Sequence, residues 1–141
     1  MTPVLHAIFR VAYAAQYQAQ VGHWHVQGED FHEFHAMFKD EYEYWQGKVD
    51  DIAEHIRTAG EFLPTSLADL GAHAAKFERV TDASTLCANY LRHLKALLGL
   101  VQKLNREKDA NEADVDLAGE LSRDLRKAIW KFENVLASQA K

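Results

Sequence analysis

Apolar residues recur at spacings of three and four along almost the whole chain, and this periodicity constrains the fold more than any other feature. Only Pro3 and Pro64 interrupt 141 residues, and no segment alternates with the two-residue period of a strand. Four stripes follow the helical rule: residues 4, 8, 11, 15, 19, 22 and 26; 31, 34, 38, 42, 45, 49, 52 and 56; 87, 90, 94, 97, 101 and 104; and 117, 121, 125, 128, 132 and 135. The pattern predicts an all-α chain with four long helices.

Residues that favour helix ends separate the stripes. Gly28 and Gly60 are predicted to follow the first and second helices. The residues expected to cap the next three helices are Asp30 paired with Glu33, then Thr81 or Asp82, then Asn111. The connection 61–80 is too long for a plain loop, and its SLADLGAHA portion is predicted to form a short extra helix. We therefore expect one domain, residues 1–141, folded as an antiparallel four-helix bundle with a long crossover between helices two and three.

Composition restricts the class of protein. With 48% hydrophobic residues the chain is expected to bury a sizeable core, and no run of about eighteen apolar residues predicts a membrane span. The N-terminus does not have the charge and apolar pattern of a signal peptide. Cys87 is the one cysteine, expected in the core, and a reducing cytoplasm is the expected location. The net charge of −5 argues against nonspecific nucleic-acid binding.

Four of the eight histidines lie in the stretch VGHWHVQGEDFHEFH, residues 21–35. His23 falls near the end of the first predicted helix and His35 one turn into the second. Further along the second helix, Asp50 and Glu54 are four residues apart, so both project from one face. Histidine, aspartate and glutamate together suit a borderline metal such as iron. These four residues are the candidate metal ligands.

A single copy of the chain does not bring all four candidates together. From residue 35 to residue 50 an unbroken helix rises about 22 Å. An antiparallel pairing of two second helices across a two-fold axis would place residue 35 of one copy beside residues 50–54 of the other. Tyr44 and Trp45, near the midpoint, would then lie by the axis.

Ordinary structural roles explain the same residues without a metal. A helical histidine is more often a surface or hydrogen-bonded residue, which is what we expect of His25, His32 and His55. Asp50 and Glu54 also fit a solvated helix face. Spacing alone leaves the metal site and the ordinary roles open.

Three segments resemble the Dps family of mini-ferritins, part of the ferritin-like superfamily. GHWHVQGEDFHEFHAMF resembles the family's HWNVKGPxFxxLHxxFD, VDDIAEHIRTAG resembles its xDxIAERIxxLG, and DVDLAGELSRDLRKAIWKF resembles its fourth helix. The resemblance implies a ferritin-like bundle that assembles from two-fold dimers into a hollow cytoplasmic dodecamer. It also implies a ferroxidase that oxidises Fe(II), usually with peroxide and otherwise with oxygen. Such a cage stores the ferric product and protects the cell against oxidative stress.

In that family the ferroxidase site lies between two subunits. The resemblance assigns the catalytic, iron-binding positions to His23 and His35 of one chain and to Asp50 and Glu54 of its partner. One position departs from the family, because Lys39 stands where the family has an aspartate ligand. An ammonium group has three donors and no lone pair, so it repels a metal ion. Lys39 either pairs with Asp50 or Glu54 inside the site or extends away from it.

The resemblance also implies roles outside the ligand set. Trp24 and Trp130 match aromatic residues near the family's site, and core packing explains both as well. Glu112, Asp114 and Asp116 lie where the family lines a three-fold iron-entry pore, although the helix dipole also accounts for acidic residues there. DNA binding, which the family usually makes with a lysine-rich tail, is expected to be weak or absent, since MTPVLHAIF holds no Lys or Arg.

Two alternatives to an iron-oxidising storage cage stay open. The first is a non-enzymatic Dps-like cage whose ferroxidase site is impaired by Lys39. The second is a nucleoid-compacting protein that binds DNA.

Overall fold

The structure, a computed structural model, describes residues 3–72, 74, 76 and 78–139, the last two without side chains. It contains four long helices and one short one: α1 (Pro3–His25), α2 (Phe31–Thr58), α3 (Leu67–Leu70), α4 (Ala83–Asn105) and α5 (Glu112–Gln139). Across these residues no strand forms, and an isolated bridge joins Gln27 to Asp82. None of the described helices is long and apolar enough to cross a membrane. The predicted all-α bundle is confirmed.

Two helical hairpins make up the bundle. Short loops join α1 to α2 and α4 to α5, and α1 also packs against α4. The backbone N–H of Gln27 donates to the carbonyl of Thr81 at 2.9 Å, so the end of α1 and the start of α4 lie at the same end of the bundle. The end of α2 and the start of α4 therefore lie at opposite ends of the bundle, as the predicted crossover between these helices requires.

The predicted apolar stripes form the core. The largest fully buried side chains come from all four long helices: Trp45, Tyr90, Phe38, Phe132, Leu5, Ile8, Ile52, Ile56, Leu86, Leu94, Leu97 and Leu104. Two polar groups within this core are paired, since the Trp45 indole N–H donates to the Tyr90 hydroxyl at 2.8 Å and that hydroxyl donates to Glu41 at 2.7 Å. Cys87 is buried as predicted, and burial raises the pKa of its thiol to about 12.

Two of the predicted helix caps form. Asp82 accepts a hydrogen bond from the backbone N–H of Thr85 at 2.9 Å at the start of α4. At the start of α5, Asn111 accepts from the N–H of Asp114 at 2.8 Å, and Asp114 accepts from the N–H of Asn111 at 3.0 Å. These reciprocal bonds satisfy two amide groups that a helix start leaves without intrahelical partners.

The predicted capping pair at the start of α2 is wrong. Asp30 occupies the N-cap position, but its side chain makes no capping hydrogen bond. Its φ of −100° and ψ of 30° lie outside the extended conformation that turns a capping side chain towards the first helical amides. Glu33 therefore completes no capping box. Gly28, two residues earlier, has a φ of +115° that reverses the chain between the helices.

The crossover contains the short extra helix that was predicted. Ser66 caps α3 by accepting from the N–H of Asp69 at 3.0 Å. The Arg10 guanidinium, on α1, donates to the carbonyl of Asp69 at 2.7 Å and fastens α3 to the bundle. Gly60, with a φ of +83°, starts the crossover after α2.

Candidate metal centre

His23 and His35 are held together by a reciprocal pair of hydrogen bonds. The Nδ1 atom of His23 lies 2.6 Å from the carbonyl oxygen of His35, and Nδ1 of His35 lies 2.7 Å from the carbonyl oxygen of His23. A carbonyl oxygen only accepts, so each Nδ1 carries the proton. In the neutral imidazole, Nε2 then keeps its lone pair, which is the form that binds a metal. We call these two residues and their two bonds the histidine clasp.

Aromatic rings fix the histidine clasp from both sides. The two imidazoles stack with ring centroids 3.7 Å apart and planes 15° apart. Phe31 stacks on His35 at 4.8 Å, and Tyr42 meets His23 edge-on at 5.4 Å. From the sequence, Phe31 and Tyr42 were predicted only as members of an apolar stripe. The sequence signal for the contact between Phe31 and His35 is their spacing, because residues four apart lie on the same helix face.

The two candidate carboxylates lie further along the same helix. Asp50 and Glu54 are exposed on α2, and neither forms an ion pair with any residue that the structure describes. α2 is continuous from Phe31 to Thr58, so the distance of about 22 Å between the turns of His35 and Asp50 stands. Within the described part of one copy, no group of three or more His, Cys, Asp or Glu side chains could hold a metal ion. The fold brings His23 and His35 together and leaves Asp50 and Glu54 apart from them.

Lys39 extends away from the histidine clasp within the single chain. Its Nζ lies 3.9 Å from a carboxylate oxygen of Glu43, one turn further along α2. Both side chains are about half exposed. Of the two expected conformations, the extended one is present in the single chain.

The predicted position at a two-fold axis is wrong for Trp45, and the direction in which Tyr44 points does not favour it for that residue. Trp45 is 1% exposed in the core, and the half-buried Tyr44 donates from its hydroxyl to Asp124 at 2.6 Å. Distance along α2 places both residues near the midpoint, but rotation about the helix turns Tyr44 about 180° from His35 at 100° per residue. Gln46 is exposed and turned only about 20° from His35, so it lies on the face of the candidate ligands and close to the midpoint.

The prediction of core packing for the two site-adjacent tryptophans is also wrong. Trp24 is 58% exposed and Trp130 is 63% exposed. Trp24 contacts Tyr17 edge-to-face at 6.3 Å on the outside of α1. Trp24 lies two positions from the buried Gly22 and Val26, a rotation of about 200°, and Trp130 lies one position from the buried Ile129, a rotation of about 100°, so both indoles are turned outwards.

The three acidic residues at the start of α5 do not act as one group. The Asp114 carboxylate is 10% exposed and accepts from Nε2 of His55 at 2.6 Å in addition to its bond with Asn111. The oxygens of Asp114 are therefore used inside the chain. Glu112 and Asp116 are exposed. His55 is hydrogen-bonded, as expected, and His32 is on the surface.

Comparisons with known proteins agree with this architecture. A family model described as "Ferritin-like domain" matches residues 4–140. The DNA protection during starvation protein of Helicobacter pylori strain J99 is 27% identical over 124 residues, covering 82% of this chain and 83% of that protein.

Two solved structures share the fold. Dps from Microbacterium arborescens in the high iron form has a TM-score of 0.85 and 19% identity, covering 98% of this chain and 91% of that one. The dodecameric thioferritin of Bacteroides fragilis, a bacterioferritin-related protein, has a TM-score of 0.86 and 17% identity, covering 97% and 84% of the two chains. The chain belongs to the ferritin-like family and resembles its Dps members.

Proposed function

We propose that this protein oxidises Fe(II) at a site between two copies of the chain and stores the ferric product inside a dodecameric cage in the cytoplasm. The observation that carries the proposal is the histidine clasp, which gives two imidazoles a defined proton position and leaves both Nε2 lone pairs for metal. Iron is the substrate. Storing it in ferric form would limit its reaction with peroxide and so protect the cell from oxidative damage.

The second half of the site is supplied by a partner copy. Asp50 and Glu54 are one turn apart on an exposed face of α2 and have no cation partner among the described residues. An antiparallel pairing of two α2 helices would set these carboxylates opposite the histidine clasp and form two identical sites per dimer. Carboxylate and imidazole ligands together suit Fe(II).

The stacked imidazoles favour two iron positions over one. A metal binds along the Nε2 lone pair, in the ring plane, at a distance of about 2.1 Å. Planes only 15° apart with ring centroids separated by 3.7 Å do not meet so close to the rings. His23 and His35 therefore bind two separate iron ions in the proposed site.

Two iron positions match the electron count of the reaction. Each Fe(II) gives up one electron, and peroxide takes up two electrons and two protons to become two waters. Lys39 leaves the site one carboxylate short of the family pattern, so one of the two positions would hold iron weakly.

The relatives support storage and assembly. The Microbacterium arborescens protein is described in a high iron form and the Bacteroides fragilis protein as a dodecamer. We extend both properties to this chain. For Glu112 and Asp116 we propose an acidic entry path that concentrates cations.

The test is Fe(II) oxidation by peroxide, followed as ferric absorbance. We expect rapid oxidation in the native protein and a loss of at least about tenfold in a His23→Ala/His35→Ala variant. A His25→Ala/His32→Ala variant removes the same number of imidazoles from the same stretch and should keep the native rate. Equal rates in all three proteins would remove the clasp from the reaction. A native protein as slow as the double variant would point to a non-enzymatic cage.

A further inference from the structure

Gly22, immediately before His23 on α1, lies against the Phe38 ring of α2 near the clasp. A Cβ atom built at this position would lie 2.9 Å from Cγ, Cδ1 and Cε1 of the Phe38 ring. Ordinary van der Waals contact begins at 3.4 Å, so a side chain at residue 22 would displace Phe38 or its helix by about 0.5 Å. Phe38 is fully buried and also contacts Tyr90 and Phe132, which leaves its ring little room to move.

This contact lies directly beside both hydrogen bonds of the histidine clasp. Gly22 precedes His23 on α1, and Phe38 follows His35 by three residues on α2. The clasp bonds are 2.6 and 2.7 Å long and join a side chain of each helix to the backbone of the other. Such bonds weaken steeply as the helices separate. The spacing of α1 and α2 at Gly22 therefore controls whether the clasp can form.

We propose that Gly22 is a positioning residue of the metal centre. Because it has no side chain, the Phe38 ring lies against the backbone of α1, and the two helices come close enough for each histidine Nδ1 to donate to the other's carbonyl. This keeps both Nε2 lone pairs directed to the metal positions. The inference rests on the proposed function, since it assigns a role within that site.

The test compares Gly22→Ala with Gly99→Ala, a helical glycine of α4 around which nothing lies within 4 Å of an added Cβ. Alanine favours a helix more than glycine does, so helix propensity does not explain a loss in either variant. Two measurements are made on each protein: nitrogen-15 NMR of the imidazoles without metal, and the affinity for Co(II) as a stand-in for Fe(II).

In the native protein and in Gly99→Ala we expect NMR signals of two imidazoles protonated at Nδ1. In Gly22→Ala these signals should change, and Co(II) should bind about 10- to 100-fold more weakly, the usual effect of losing a partner that orients a ligand. Native signals and native affinity in Gly22→Ala would overturn the proposal. If the signals change as expected while no protein binds Co(II), the positioning role holds and the proposed iron site fails.

Phe38→Leu probes the same contact without adding an atom, should Gly22→Ala fail to fold. It removes ring atoms that α1 packs against, so the contact that holds the two helices at their native distance is lost. The hydrogen bonds of the clasp should therefore weaken, as in Gly22→Ala. Native imidazole signals together with native Co(II) affinity in this variant would contradict the proposal.

Discussion

At the scale of single residues, proton position matters as much as residue type. His23 and His35 are suited to metal binding because backbone carbonyls hold the proton on Nδ1. His55, with the same side chain, uses Nε2 to hydrogen-bond Asp114 and has no such lone pair to offer there. The difference lies in the acceptor that the fold places beside each ring.

Lys39→Asp restores a carboxylate one turn beyond His35, on the same face of α2. We expect iron oxidation about tenfold faster than in the native protein, because the second iron position gains an anionic ligand and loses a repelling ammonium group. Stopped-flow ferric absorbance measures the rate. Lys39→Ala separates the two effects, since it removes the charge without adding a ligand. A rate for Lys39→Asp no higher than native would show that Lys39 is a tolerated neighbour.

Glu41 gives a pH dependence of stability. Burial raises the pKa of its carboxyl above the usual 4.5, and the hydrogen bond from Tyr90 only partly opposes this. The folded protein then binds the proton more tightly than the unfolded chain. Stability due to this group is therefore highest below pH 4.5 and falls as the pH rises through the folded-state pKa. A tenfold difference in proton affinity between the folded and unfolded states corresponds to about 1.4 kcal/mol of stability.

Glu41→Gln should remove this decline, because an amide does not ionise and still accepts from Tyr90. Urea unfolding between pH 4.5 and 7 measures the free energy of unfolding in each protein. Glu133→Gln, at an exposed position paired with Lys95, is the control and should follow the native profile. A Glu41→Gln profile identical to the native one would refute the prediction.

At the scale of helices and loops, the residues at the helix ends determine where each functional side chain lies. The loop 26–30 with Gly28 at φ +115° returns the chain so that the first turn of α2 meets the last turn of α1. The reciprocal hydrogen bonds of Asn111 and Asp114 hold the Asp114 side chain inward, so of the three acidic residues at the start of α5 Glu112 and Asp116 face solvent.

Asn111→Ala tests the α5 cap. Loss of its hydrogen bond to the Asp114 amide should lower the free energy of unfolding by about 1 kcal/mol. Urea denaturation with circular dichroism measures the change. Asn105→Ala, at the exposed last residue of α4, makes the same substitution away from a helix start and should change stability less. Equal losses in the two variants would mean that the cap contributes little.

At the scale of the whole molecule, the proposed site requires two copies of the chain. Gln46 lies on the α2 face of the candidate ligands, near the midpoint between His35 and Glu54. In the proposed antiparallel dimer the two Gln46 side chains approach each other across the two-fold axis. Weak or absent DNA binding stays a prediction, which rests on the net charge of −5.

Gln46→Lys should disrupt the proposed assembly, because it sets two positive charges against each other at the axis. Light scattering after size exclusion should show particles of about twelve chains for the native protein and smaller species for the variant, with iron oxidation at least about tenfold slower. Gln102→Lys, exposed on α4, is the matched control and should keep the native size and rate. A Gln46→Lys protein of native size would place the interface elsewhere.

The sequence by itself determined the helices, the core stripes and the identity of the candidate ligands. The signals for these features are local: the helical period of the apolar residues, the glycines Gly28 and Gly60, and the capping residues Asp82 and Asn111. Hydrogen bonds and steric limits between residues close in sequence determine them. Position along a helix was also predictable, which is why His35 and Asp50 were assigned to different copies of the chain.

Only the tertiary structure determined in which direction each side chain points and which residues it contacts. In the folded chain Trp45 lies in the core, whereas Trp24 and Trp130 point outwards. Asp114 accepts a hydrogen bond from His55. The tertiary structure also joined His23 to His35 through backbone carbonyls, with Gly22 against Phe38. These features depend on how closely two helices pack and how each is rotated about its axis. Packing against the rest of the chain sets both quantities, and sequence spacing within one helix does not contain them.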